Sequence, residues 1–194
     1  PGTLNARRDL LSVLLRELTD LPEAGRASPE TITALIEAHH RRGDLALSNE
    51  TLASADAHFS TAHSLLTRLA SAQPSSVDLN RFQALNLSKR GKVALARGDF
   101  ESARLLFSDS VTKLEAIATY DSRDEARRCL AVSYGELASA LALKGQHLGA
   151  VMLYARAAAV LEANNGFYDR CLLALNQRDA AEVAIVAGSL LDAE

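Results

Sequence analysis

The feature that most constrains the fold is a pattern of small and aromatic residues that recurs every 47 or 48 positions. Ala55, Ala103 and Ala150 are 48 and then 47 residues apart. Each is followed by an aromatic residue four positions later and a small residue seven positions later, and another small residue precedes each set. Agreement across three segments indicates an internal repeat. The other columns contain Phe59, Phe107 and Tyr154; Ala62, Ser110 and Ala157; and Gly43, Gly91 and Ala138.

The columns indicate a stack of paired helices. Offsets of four and seven place residues on one face of a helix. Small residues let two helix backbones approach closely, and the aromatic side chain fills the space towards the next repeat. The apolar residues are mostly Ala and Leu and only 5% of the chain is aromatic, which favours helices over a β-sandwich. Because no proline follows Pro74, long helices are permitted beyond it.

We therefore predict an all-α fold in which eight helices are joined by short turns and neighbours pack antiparallel. Breaks fall at residues 22–28, 73–76, 98–99, 145 and 164–166, and Ser28 is expected to cap a helix that begins at Pro29. The predicted helices span residues 4–21, 29–47, 51–72, 77–97, 100–119, 123–144, 147–163 and 168–191. The chain is expected to form a single domain with an N-terminal helix and linker (1–28), three repeats (29–75, 76–121 and 122–166) and a partial repeat or capping helix (167–194).

These residues resemble the tetratricopeptide repeat family over roughly positions 29–164. The second repeat carries the family's small, Gly-Asp-aromatic, Ala, aromatic, small pattern, the third matches it again, and the first lacks the Gly-Asp turn. The resemblance implies a right-handed α-solenoid. The usual repeat has 34 residues, so about 13 more add roughly two turns to each helix. The matching residues are Gly91, Gly98, Asp99, Phe100, Ala103, Phe107 and Ser110, then Ala138, Gly145, Ala150, Tyr154 and Ala157.

Long repeats of this kind are similar to those attached to bacterial multidomain signalling proteins, especially serine/threonine protein kinases. In those proteins a helix such as the one containing residues 7–11 precedes the first repeat. The 194 residues contain no Gly-rich phosphate loop, no His-Arg-Asp and no Asp-Phe-Gly. We therefore expect a non-enzymatic fragment of a larger bacterial protein, located in the cytoplasm.

No catalytic, cofactor-binding or metal-binding residue is expected. His39 and His40 are adjacent and point about 100° apart on a helix. His58 and His63 are five residues apart, whereas a helical zinc pair is separated by four. The only two cysteines, Cys129 and Cys171, are expected to be ordinary buried thiols in a reducing compartment. The net charge of -3 gives no basic excess for nucleic acid, and no apolar stretch approaches the roughly 20 residues of a membrane span.

In the tetratricopeptide family the first helix of each repeat lines a concave binding surface. By register, the resemblance therefore implies a protein or peptide ligand bound by these helices. Exposed positions such as Thr33 contribute to this face. The principal candidates are Glu37, His40, Asp44, Arg81, Ser88, Lys89, Lys92, Arg128 and Ser139.

The leading functional prediction is a protein–protein interaction module or scaffold. One alternative is a peptide- or ligand-sensing domain that controls an attached output domain. Another is self-association, with a homodimer formed through the C-terminal helix. Its apolar face contains Val183, Ile185, Val186, Leu190 and Leu191.

Overall fold

A computed structural model describes residues 2–26, 28–49, 51–72, 77–121, 123–162 and 166–191. Over these ranges the chain is helical, with no strand, so the predicted all-α fold is confirmed. The elements are α1 (Gly2–Thr19), α2 (Glu23–Arg26), α3 (Pro29–Asn49), α4 (Leu52–Ala72), α5 (Val77–Ala96), α6 (Phe100–Ala118), α7 (Asp124–Leu143), α8 (His147–Glu162) and α9 (Phe167–Leu191).

The helix ends follow the local signals in the sequence. The backbone N–H of Thr31 donates to Ser28 Oγ (3.2 Å), which caps α3 as expected. Asp99 caps α6 by accepting from the Ser102 N–H (3.0 Å). Gly98 and Gly145 follow α5 and α7 with φ of +78° and +76°, a conformation that favours glycine. One difference from the prediction is α2, a single helical turn within the expected break at 22–28.

The chain forms two compact units, Pro1–Arg97 and Gly98–Glu194. The first contains α1–α5 and the second contains α6–α9. In each unit, consecutive long helices pack against one another, as in an α-solenoid. The finer repeat boundaries remain predictions, and residues 27, 73–76, 164 and 165 of the expected breaks lie outside the described residues.

In the first unit, α3 and α4 are antiparallel. Ile32, early in α3, shares a buried cluster with Leu69, late in α4. At the opposite end, Ala46 shares a second cluster with Ala55. Helix α5 runs parallel to α3. Two polar pairs connect these helices, and the pair that lies later in α3 also lies later in α5. These pairs are His40 with Asn86 and Asp44 with Lys89.

Gly43 of α3 packs directly against Phe59 of α4. A Cβ added to Gly43 would overlap the ring of Phe59. Phe59 is fully buried and shares its cluster with Val93 of α5, so one ring joins three helices. All twelve residues of the four sequence columns are buried in the folded chain.

The second unit has the same alternation of antiparallel neighbours. Glu101 pairs with Lys144 (2.5 Å) and the hydroxyls of Ser110 and Ser133 lie 3.1 Å apart, which aligns the start of α6 with the end of α7. Tyr154 of α8 lies in a cluster with Ala138 of α7, and Ala180 and Val183 of α9 pack against that cluster.

We predict that Gly43→Ala destabilises the protein, because the new methyl group meets the buried Phe59 ring. Overpacking of this kind costs about 1–3 kcal/mol and outweighs the gain of about 1 kcal/mol in helix propensity. Urea unfolding followed by circular dichroism measures the change.

The matched control is Gly188→Ala in α9, where an added Cβ meets nothing within 4 Å. This variant should be more stable by about 0.5–1 kcal/mol. If Gly43→Ala gave the same stabilisation as Gly188→Ala, the close packing of α3 on α4 would be contradicted.

Candidate functional site

A groove of about 570 Å³ lies in the first unit between the N-terminal halves of α3 and α5. The two helices are parallel and side by side there, and the end of α4 closes the space between them. Its volume is in the range of pockets that hold a few side chains of a ligand. The groove is lined by Pro29, Glu30, Thr33, Ala34, Glu37, Leu69, Asp78, Leu79, Arg81 and Phe82.

The groove has an apolar floor and a mainly acidic rim. Leu69, Leu79 and Phe82 are each more than 90% buried and belong to the core of the unit. Glu30 and Glu37 on α3 are exposed, as is Asp78 at the start of α5. The rim therefore combines three carboxylates with one guanidinium, that of Arg81.

The guanidinium of Arg81 is held within the protein. It lies 4.9 Å from the centre of the Phe82 ring and 3.7 Å from Asp78, and its side chain is only 11% exposed. A cation stacked on an aromatic face is stabilised by the ring electrons. Because Arg81 is held in this way, the charge that the groove presents to a partner is predominantly negative.

The structure brings together three residues of the predicted binding face, Thr33, Glu37 and Arg81, in this groove. Asp44 and Lys89 instead pair with each other, with the ammonium 2.7 Å from both carboxylate oxygens. Lys92 is partly exposed on α5, beyond the groove lining.

His40 and Ser88 lie in the interior of the protein. His40 is 5% exposed, and one of its ring nitrogens, Nε2, is 3.0 Å from Asn86 Oδ1. Burial and, to a smaller extent, the nearby Lys89 ammonium lower the pKa of His40 to about 4, against the opposing effects of Asn86 and Asp44. Ser88 is 4% exposed. Both positions are therefore covered by the protein itself.

The predicted residues of the second unit also contact other parts of the unit. Arg128 donates two hydrogen bonds to the buried carboxylate of Asp169, at 2.5 and 3.0 Å. The hydroxyl of Ser139 lies 2.8 Å from that of Tyr154 and donates to the carbonyl of Gly135. These two side chains therefore connect the helices of the second unit.

Sequence reasoning did not identify Glu30 and Asp78 as part of this surface. Each is an acidic residue in the first turn of its helix. That position is ordinary for a carboxylate, because it complements the helix dipole. Only the parallel arrangement of α3 and α5 brings the two helix starts to the same groove.

A second concavity of about 520 Å³ lies between α1 and α3. Arg7 and Arg41 line it together with Leu10, which is 70% exposed. Asp44 also borders this space, but Lys89 already neutralises its carboxylate. This concavity therefore contains only one of the predicted binding residues.

A histidine pair that the sequence analysis missed connects α3 to α4. The Nδ1 atoms of His39 and His58 are 3.1 Å apart, and the ring centres are 5.3 Å apart. Burial lowers the pKa of His39 to about 4, and the neighbouring His58 adds to this shift. The sequence analysis compared histidines only along one helix, whereas this pair forms across two.

The described parts of the chain show neither a set of three His, Cys, Asp or Glu residues that could hold a metal ion nor a helix with the length and apolarity of a membrane span. Cys129 and Cys171 are not joined in a disulfide, and the expectation that both are buried is wrong, because Cys129 is half-buried and Cys171 is exposed. No model of a known protein family matches this sequence, and no curated protein matches it either. The likeness to the tetratricopeptide family therefore remains a prediction.

We predict that the protein loses stability as the pH falls from about 6.5 towards about 4. His39 and His40 have pKa values of about 4 in the folded chain, below the ordinary value of 6.5. In this range the unfolded chain binds more protons, so acid favours unfolding. The urea midpoint should be lower at about pH 5 than at about pH 7, a window above the titration of ordinary carboxylates.

A His39→Gln/His40→Gln variant should show a flatter pH dependence across the same window. His63→Gln is the control, because His63 is exposed on α4. Equal stability of the unmodified protein at both pH values would contradict the neutral, buried state of these imidazoles.

Proposed function

We propose that this protein is a non-catalytic interaction module of the tetratricopeptide type, and that the groove between α3 and α5 binds a segment of another polypeptide. The observation that carries the proposal is the composition of the groove, with its apolar floor and its acidic rim at a site where predicted binding residues meet. Pockets that combine apolar walls with a few polar groups are typical binding sites.

The chemistry of the groove favours a segment in which an apolar side chain is flanked by Lys or Arg. Apolar side chains of the bound segment stabilise the complex by covering the exposed hydrocarbon of Ala34 and Phe82. The carboxylates of Glu30 and Glu37 attract a cation at the rim, where attraction affects the association rate and specificity more than affinity. An acidic segment is disfavoured, because it would face these carboxylates.

We also propose that the module serves as a scaffold within a larger bacterial signalling protein of the cytoplasm. The support is the resemblance of its long repeats to those attached to serine/threonine protein kinases. In that setting, binding of a segment in the groove would recruit a partner.

The first test measures the binding of synthetic peptides in which Leu alternates with Lys, Ser or Glu. Fluorescence anisotropy should give tightest binding to the Lys peptide, and raised salt should weaken that binding. In Glu30→Lys/Glu37→Lys the affinity for the Lys peptide should fall about tenfold or more, since like charges then face each other.

The matched control is Asp109→Lys/Glu162→Lys, which makes the same change of net charge at exposed positions of the second unit. This variant should bind the Lys peptide as the unmodified protein does. Equal affinity for all three peptides, or unchanged binding after the groove substitutions, would contradict the proposal.

A second candidate function, self-association, is favoured by the exposed apolar residues of α9. Leu175, Ile185 and Val186 are 47%, 72% and 45% exposed. Leu175 and Val186 are eleven residues apart, about three turns, and therefore share a face. Val183, in contrast, packs into its own unit. The side chains of Leu190 and Leu191 lie outside the described residues.

If this face joins two copies, the mass measured by light scattering should rise with concentration, and Leu175→Glu should abolish the rise. Leu105→Glu is the control, because Leu105 is a similarly exposed apolar residue on α6. A constant monomer mass would exclude self-association through α9.

A further inference from the structure

The His39–His58 pair has the geometry of two ligands that face one position. The two Nδ1 atoms are 3.1 Å apart, so the rings point at each other and share one proton between them in the neutral state. Both side chains are half-buried, which leaves the space beside them accessible to water. Histidine imidazoles are the commonest nitrogen ligands of transition metals.

Coordination of one ion by both nitrogens requires a rearrangement of the hydrogen-bonded pair. Two imidazole nitrogens bound to one ion at about 2.0–2.1 Å lie about 3.4 Å apart at the tetrahedral angle and about 2.9 Å apart at a right angle. The corresponding ring centres are separated by about 5.2 and 4.5 Å. With the Nδ1 atoms 3.1 Å apart, the observed 5.3 Å between ring centres is that of two rings aimed head-on at each other, so both rings must turn towards an ion and the nitrogens must separate by a few tenths of an ångström to reach the tetrahedral value.

We propose that the rings of His39 and His58 turn to form a binding site for a divalent transition-metal ion such as Zn²⁺, in which water fills the remaining positions. In the described residues no third His, Cys, Asp or Glu completes the set, so two ligands come from the protein and the others from solvent. When the ion binds, the shared proton moves from Nδ1 to Nε2 of the same ring, and both Nδ1 lone pairs coordinate the metal.

The ion would connect α3 to α4 beside the contact of Gly43 with Phe59. His39 lies one helical turn before Gly43, and His58 directly precedes Phe59. Because the unfolded chain does not hold these two rings together, the ion binds the folded state selectively and stabilises it.

The test is calorimetric titration of the full chain with Zn²⁺ alone, in a Cys171→Ser background that removes the exposed thiol. We expect one saturable site, a rise in Tm with Zn²⁺, and a loss of affinity of at least about tenfold in both His39→Gln and His58→Gln. His63→Gln, which removes an exposed imidazole from the same helix as His58, should bind as the background does.

Nitrogen NMR of the histidine side chains of the unsubstituted chain provides a readout that does not depend on the folding of any variant. Zn²⁺ should shift the Nδ1 resonances of His39 and His58 and leave those of His40, His63 and His147 in place. The proposal is overturned if Zn²⁺ does not bind, if the shifts occur at the other histidines, or if the double variant His39→Gln/His58→Gln retains the site.

Discussion

The insertion of one aromatic ring against a residue without a side chain determines how the first unit packs. Phe59 is fully buried and occupies the space that any side chain at position 43 would need. Close packing of this type gains dispersion energy from many contacts and tolerates little change of volume. The axial alignment of α3 on α4 follows from it, and so do the positions of the residues along both helices.

The groove depends on this alignment. With α4 fixed against α3, α5 packs on α4 and comes to lie parallel to α3, so the first turns of α3 and α5 are neighbours. Their acidic residues, which complement the helix dipoles, then meet at one opening above Leu79 and Phe82. A surface suited to a basic, apolar segment therefore arises from two ordinary helix starts.

The sequence predicted the helices and the residues that pack between them, because both depend on local periodicity. It also placed Thr33, Glu37 and Arg81 on a common face. It did not predict the contact of His39 with His58 or that of Arg128 with Asp169, because such contacts depend on how two helices are displaced and rotated relative to each other. The length of the repeat does not determine how far one helix is displaced along the other. Residues in contact are 45 or 46 positions apart between α3 and α5, whereas Arg128 and Asp169 are 41 positions apart.

The polar pairs between α3 and α5 have a consequence for how the groove can be adjusted. The hydrogen bond of His40 with Asn86 and the ion pair of Asp44 with Lys89 fix the distance between the two helices and prevent them from sliding. Both lie beyond the groove lining, so we expect a substitution at Asn86 to alter the separation of α3 and α5 while every lining residue stays the same. Ligand preference can therefore evolve through a substitution in the core, without the replacement of any residue that lines the groove.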